Sequence, residues 1–389
     1  MSAPAPPPLS HAHHTAPPHI RAIHKTYQKL SLPALSHDPH ILDLAASADT
    51  PAREWHARHV KIVGHVPAER AIRAFKAFRA AAGEEAAGSE EEEGEGEGVV
   101  GDAAIYEHDF VPGLQIIPSL LPPATQRALL SALLHRHLSN PAHATNLHPH
   151  YTLPYPPPAS SSSSSSPTTT TTTSSSPDDD DTAAAAAASF FTLPPATPLP
   201  PRDPATHNPL TAQRMLAKKL RWLTLGAQYD WTLKQYPAGS ELAFPRDVAG
   251  LITDLLPETT APQAAITNLY SPGDMLAPHR DVSEASRAPL VSVSVGCDAV
   301  FVVGLDAASP ASPTSCHPGA EATPQVLVLR VRSGDVVLMG GASRWAWHSV
   351  PRVVAGSCPG GIAEWPGMEG WEGWMGGKRV NLNVRQMWD

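Results

Sequence analysis

The chain has 389 residues, with 28 Lys and Arg against 37 Asp and Glu, a formal net charge of −9, 43 prolines and three cysteines. No apolar run approaches the roughly 18 residues of a membrane helix, and Cys297, Cys316 and Cys358 form no CxxC, which argues against a thiolate zinc site or a disulfide scaffold and suits a reducing compartment. Eight Glu at 84–97 and four Asp at 178–181 account for the acidity. Without those twelve, 25 of the 37 acids face 28 bases, so the body is mildly basic and permits a nucleic-acid partner without requiring one.

In chain order, residues 1–20 (MSAPAPPPLSHAHHTAPPHI) lack apolar periodicity and read as a disordered tail. Residues 21–82 read as a helical extension. Its clearer helix is PAERAIRAFKAFRAAA, with Pro67 at the start and Ile72, Phe75 and Phe78 at helical spacing. Residues 83–105 form an acidic Gly-rich linker. A large domain then spans 106–389, opening on a strand, a proline turn and an amphipathic helix that carries Leu129, Leu130, Leu133 and Leu134 inward. Ser and Thr runs, DDDD and six alanines mark 152–206 as a low-complexity insertion that cannot bury enough apolar surface to fold. RWLTLGAQYDWTLKQYP (221–237) is aromatic-rich, and 241–257 reads as a loop and a helix stopped by Pro257. From 263 onward short β segments alternate with turns, which predicts a sandwich or barrel. LVSVSVG and VNLNVR alternate strictly and are expected to be half-buried. The chain opening lacks an apolar signal core and has no arginine before Arg21, so nucleus or cytoplasm is expected ahead of a mitochondrion.

The segment Asn268–Asp281, NLYSPGDMLAPHRD, sets a histidine and an aspartate two apart after a Pro272-Gly273 turn. On a strand, positions i and i+2 share a face, so His279 and Asp281 could converge on one metal ion. His-x-Asp alone is a weak signal, since an ordinary sheet can expose the same pair. His348, in the strand-like run WAWHSVPRVV, is the candidate third ligand; a histidine flanked by tryptophans is otherwise a satisfied core residue. Arg379, Asn381, Asn383 and Arg385 fall on one face of a strand, opposite Val380, Leu382 and Val384. If that face is buried, two guanidiniums need anionic partners, which a dicarboxylate and the ligand aspartate would supply. Two histidines and one carboxylate leave iron with open positions.

These motifs together resemble the AlkB family of iron(II)- and 2-oxoglutarate-dependent dioxygenases: Asn-x-Tyr, His-x-Asp, a distal His, then RVNLNVR. KLRWLTLGAQYDWTLKQYP and FVPGLQIIPSLLP further resemble the eukaryotic homologue-one branch. The resemblance covers roughly 106–151 and 207–389. It implies an α+β fold with a double-stranded β-helix core (jelly-roll or cupin-like), flanking helices and long disordered insertions. It implies Fe(II) on His279, Asp281 and His348, with 2-oxoglutarate and O2 as co-substrates. Arg379 would clamp the distal carboxylate, Asn268 and Tyr270 would donate to the co-substrate, and Arg385 would sit near Asp281 and the iron-side carboxylate. Tyr229, Trp231 and Trp345 are the candidate walls for a flipped base. The implied reaction is oxidative demethylation of N-methylated nucleobases, with methyladenosine in tRNA foremost. N6-methyladenine in DNA or a protein side chain is the alternative, and a non-catalytic scaffold the less favoured one. No stable protein partner is inferred. The Trp- and Gly-rich segment 359–377 is expected to act as a lid, and the loop at 305–325 is a further peculiarity of this chain.

Overall fold

The computed structural model describes residues 14–45, 54, 56–83, 101–155, 189–229, 242–257, 259–306 and 326–389. Two facing sheets build the core. The larger has eight strands in the order β2 (Val60–Val66), β3 (Ala103–His108), β4 (Leu114–Ile117), β13 (Val336–Met339), β10 (Leu290–Gly296), β15 (Arg379–Arg385), β8 (Ala264–Tyr270) and β7 (Trp222–Gly226). The smaller has the order β1 (Ile41–Leu42), β12 (Val326–Val331), β11 (Ala299–Gly304), β14 (Trp347–Val353) and β9 (Leu276–His279). Every pairing in them is antiparallel except β1 with β12. A separate two-stranded ribbon joins β5 (Pro198–Leu199) to β6 (Leu210–Thr211).

Strand alternation creates three packed layers. Val291, Val293 and Val295 of β10 and Val380, Leu382 and Val384 of β15 face a helical layer. That layer contains α3 (Ala68–Ala81), α4 (Pro123–Ser131, continued by a π-helical stretch to His137) and α5 (Arg246–Leu255). Leu290, Leu114, Val303, Leu329, Val337 and Val350 fill the space between the sheets. On the outer face of the smaller sheet, α1 (Pro18–Lys29) and the one-turn helix α2 (Leu32–Ser36) cover Val300, Val302 and Val328 through Tyr27 and Leu35. Each such buried aliphatic or aromatic side chain contributes about 1.5–3 kcal/mol.

Several sequence boundaries shift for physical reasons. The tail expected over 1–20 ends earlier, because Ala16 and Ile20 pack on Trp347 and helix α1 starts at Pro18. The extension 21–82 is not purely helical: β1 joins the smaller sheet and β2 extends the larger one through β3. β3 begins at Ala103, inside the expected 83–105 linker. Within the expected insertion 152–206, residues 189–206 are ordered; Phe191 is buried there against Trp365, Trp371 and Trp374, and Phe190 is buried against Tyr155. Residues 156–188 lie outside the described residues, as does Trp231. In α3 the buried stripe is Ala71, Ala74, Phe75 and Phe78, whereas Ile72 is 47% exposed. The two phenylalanines set the stripe, and the alanines let α5 approach closely.

β10 and β15 are buried on both faces rather than half-buried. Their polar faces line a cavity between the sheets instead of meeting bulk solvent. That single topological fact makes the site.

Candidate metal and co-substrate site

The cavity has a volume of about 390 Å³ and is walled by both sheets, a size typical of small-molecule sites. The segment Asn268–Asp281 crosses from one sheet to the other. Asn268 and Tyr270 end β8 in the larger sheet, and His279 ends β9 in the smaller. The turn between them needs Gly273, whose φ of +98° is costly for any residue with a Cβ. Asp274 holds this turn by accepting from the Ser271 N–H at 2.7 Å and pairing with Arg221. The strand is shorter than the sequence suggested, because Asp281 lies in the coil two residues past its end.

His279 and His348 are cross-strand partners on β9 and β14, with ring centroids 4.3 Å apart. One ligand atom from each of His279, Asp281 and His348 falls within 4.8 Å of the others. His279 Nδ1 is 3.0 Å from the Ala277 carbonyl and His348 Nδ1 is 3.2 Å from that of Ala346. Each Nδ1–H donates to its carbonyl, which leaves the Nε2 lone pairs directed at the carboxylate. The Nε2 to carboxylate separations are 3.8 Å from His279 and 3.9 Å from His348. Burial, and then the neighbouring His279, push the His348 pKa down to about 4, so its imidazole is neutral at neutral pH. Burial alone would raise the Asp281 pKa, but Arg385, His348, His279 and Arg344 outweigh it and hold the carboxyl well below the usual range. Two imidazoles and one carboxylate form a donor set suited to a borderline divalent metal with open positions.

Deeper in the cavity, Arg379 stands opposite Tyr270 in the β15–β8 register, and Asn381 opposite Asn268. The Arg379 side chain donates to Ser294 Oγ at 2.9 Å and to the Cys297 carbonyl at 3.4 Å. Its Nε is buried without a hydrogen-bond acceptor, and among the described residues no carboxylate pairs with it. A buried guanidinium in that state calls for an anionic ligand. Burial pushes the Tyr270 hydroxyl up to about 12 despite Arg379 beside it, so it remains a hydrogen-bond donor. Gly296, opposite Arg379 in register, has φ +93°, and a Cβ there would lie 2.4 Å from the Lys378 carbonyl. Only glycine lets β15 start so close to β10. Arg385, in contrast, is paired: its guanidinium reaches Asp281 Oδ2 at 3.2 Å and Glu284 Oε1 at 2.9 Å. Asn383 donates to the same Asp281 oxygen at 3.3 Å.

Of the expected aromatic walls, Tyr229 lines the cavity. Trp345 does not; its ring lies under the Arg344 guanidinium at 4.0 Å, outside the cavity wall. Phe301 of β11 also lines the cavity, with its ring 5.9 Å from that of His348. Sequence reasoning missed Phe301, although its position in AVFVVGL, in alternation with Val300 and Val302, was a usable signal. It also missed Glu284 and Arg344, which carry no motif. The segment 359–377 contributes nothing to the cavity wall. Ile362, Trp365, Trp371 and Met375 are buried in the helical layer instead, and Trp365 donates to Ser131 Oγ at 3.2 Å. The expected lid is therefore a structural brace behind β15.

Comparison with known proteins agrees with this geometry. The family model of the 2OG-Fe(II) oxygenase superfamily matches residues 179–385. A protein of Pyricularia oryzae named N6-methyladenosine RNA demethylase ALKB1 is 40% identical over 382 residues, covering 97% of each chain. One of Cryphonectria parasitica, named N6-methyladenosine RNA demethylase ALKBH, is 48% identical over 51% of this chain and 90% of its own. The tRNA demethylase abh1 of Schizosaccharomyces pombe is 33% identical over 73% of this chain and 82% of its own. Its sequence, its paired sheets and these relatives place the chain in the 2OG-Fe(II) oxygenase superfamily, as an AlkB-type member of the eukaryotic ALKBH1 branch.

Proposed function

We propose that the chain is an Fe(II)- and 2-oxoglutarate-dependent demethylase of N-methylated nucleobases, with methyladenosine in tRNA as its substrate. The observation that carries this reading is a single cavity holding both a His279–Asp281–His348 group and a buried cation with no anionic partner among the described residues. The names of the relatives at 40%, 48% and 33% identity, two RNA demethylases and a tRNA demethylase, support the substrate class.

In this reading His279 and His348 offer Nε2, and Asp281 offers its carboxylate, to Fe(II). Iron held there, with 2-oxoglutarate and O2, would supply oxidative hydroxylation of the N-methyl carbon, coupled to decarboxylation of 2-oxoglutarate to succinate and CO2, and the hydroxymethyl group would leave as formaldehyde. The chain's own residues bind and orient. Arg379 pairs with the distal carboxylate as a planar fork, with Ser294 holding one arm of the guanidinium. Tyr270 and Asn268 donate from the neighbouring strand. Arg385 and Asn383 fix one oxygen of Asp281, so the carboxylate is oriented before a metal arrives. Tyr229 and Phe301 offer aromatic faces for a base that has left its stack, while Leu290, Met339 and Val350 keep water from the centre.

The test is succinate release from the purified protein with Fe(II), 2-oxoglutarate and ascorbate, together with nucleoside mass spectrometry of tRNA before and after incubation. Loss of a methylated adenosine, abolished in His279→Ala, is the expected result. Equal turnover by wild type and His279→Ala would overturn the metal assignment, and an unchanged tRNA profile beside active succinate release would shift the substrate to DNA or protein.

A further inference from the structure

Behind Asp281 lies a fully buried pair of charges, Glu284 and Arg344, that neither the sequence motifs nor the proposed reaction uses. Glu284 Oε2 pairs with Arg344 Nη2 at 3.1 Å, and both side chains have no solvent exposure. The other oxygen of Glu284 pairs with Arg385 Nη1 at 2.9 Å, and Arg385 Nη2 reaches Asp281 Oδ2 at 3.2 Å. Arg344 is fixed further by donating from Nε to the Ala288 carbonyl at 2.8 Å and from Nη1 to the Asp281 carbonyl at 3.1 Å. The sequence Arg344–Glu284–Arg385–Asp281 alternates in sign, with two guanidiniums against two carboxylates.

We propose that Glu284 and Arg344 are positioning residues that set the charge and aim of the metal-binding carboxylate. The proposal rests on the reading of His279, Asp281 and His348 as metal ligands. Neither residue belongs to the cavity lining, so neither touches metal or substrate. Glu284 occupies one arm of Arg385, which leaves a single arm for Asp281. Without Glu284, Arg385 would be free to fold both arms onto Asp281 and compete with a cation for both oxygens. Arg344 acts in the opposite direction: it balances Glu284, so the four groups together, Asp281 included, carry no net charge. Such outer partners of a ligand typically change metal affinity by about 10- to 100-fold.

The opposite signs give the test its force. Mn(II) binding to the full-length metal-free protein is measured by titration calorimetry for wild type, Glu284→Gln, Arg344→Met and the double variant, with thermal melts and circular dichroism as fold controls. His279→Ala serves as the ligand-loss control. Glu284→Gln leaves two cations against Asp281 and is expected to weaken Mn(II) binding about 10- to 100-fold. Arg344→Met leaves an extra carboxylate and is expected to maintain or tighten it. The double variant restores the charge balance but not the hold on Arg385, and its affinity should lie between those of Glu284→Gln and wild type. A merely structural role would weaken both single variants together and make the double variant worse; that pattern, or equal affinity in all four proteins, overturns the proposal. Should wild type and His279→Ala bind Mn(II) alike, the ligand assignment itself falls, and the proposal with it.

Discussion

Replacing Arg379 with Met separates binding from folding in a way few active-site changes do. The side chain is 3% exposed and donates only to Ser294 Oγ and the Cys297 carbonyl, with Nε lacking an acceptor. In the metal- and co-substrate-free protein it is therefore a buried cation whose desolvation is poorly compensated. Burial indeed lowers its pKa, against the weaker pull of Tyr270, Asp298 and Asp335. Met fills similar space without charge, so the free protein should melt no lower than wild type, and higher if its neighbours close around the thioether. With 2-oxoglutarate the opposite holds. Losing one partner of a buried hydrogen-bonded charge pair costs about 2–5 kcal/mol, which at about 1.4 kcal/mol per decade is a rise in KM of roughly 30- to several thousand-fold. The melting shift that saturating 2-oxoglutarate gives wild type should vanish. Arg379→Lys keeps the charge but not the fork and should fall between. The assays are differential scanning fluorimetry with and without 2-oxoglutarate, and succinate release against its concentration. A variant that melts well below wild type yet keeps its KM for 2-oxoglutarate would refute the reasoning, because Arg379 would then be a structural cation.

Three further outcomes follow from the packing. His108, His135 and His143 have pKa values pushed down to about 3, 4 and 4, in each case by burial first. The unfolded chain therefore takes up their protons first; their contribution is complete above about pH 6.5 and is lost as pH falls toward 4, at no more than about 1.4 kcal/mol per group per pH unit. Urea melts from pH 7.5 to 4.5 should show that fall, and a flat profile would contradict it. Gly296→Ala places a Cβ against the Lys378 carbonyl at a positive φ and should cost about 1–3 kcal/mol while raising KM for 2-oxoglutarate through a displaced Arg379. Unchanged stability and KM would show that the turn can relax. Phe78→Ala opens a cavity beneath α3, whose side chain there is 2% exposed, and should lower unfolding free energy by about 3–5 kcal/mol. A smaller effect, under about 1 kcal/mol, would mean the extension is not part of the core.

The motif residues were legible because their spacing reflects the backbone. Asn268 and Tyr270, and Arg379 through Arg385, are two apart on real strands, and a strand's period of two forces each set to one face. The amphipathic helix at 123–131 and its inward leucines were equally plain, since helical periodicity is a property of the local chain. Local pattern did not say what lies opposite a face. RVNLNVR and LVSVSVG look half-buried in sequence, yet their polar faces meet the second sheet across a cavity, and only sheet pairing supplies that second wall. For the same reason Trp345 looked like a substrate wall and the tryptophan-rich 359–377 like a lid, because aromatic composition does not tell a pocket from a core. β2 and β1 were invisible as parts of the sheets, since short edge strands carry little periodicity and take their partners from β3 and β12, far along the chain.

The sequence by itself determined which side chains could bind a metal and a dicarboxylate, because donor chemistry and strand parity are local. Tertiary structure alone decided that they share one cavity, with the Pro272-Gly273 turn carrying the chain between sheets and His348 brought beside His279 as a cross-strand neighbour. It alone decided, too, that Arg385 is satisfied by Asp281 and Glu284 while Arg379 is left with no carboxylate partner among the described residues. Charge balance in a buried site depends on distances between segments a hundred residues apart, and no local pattern encodes those.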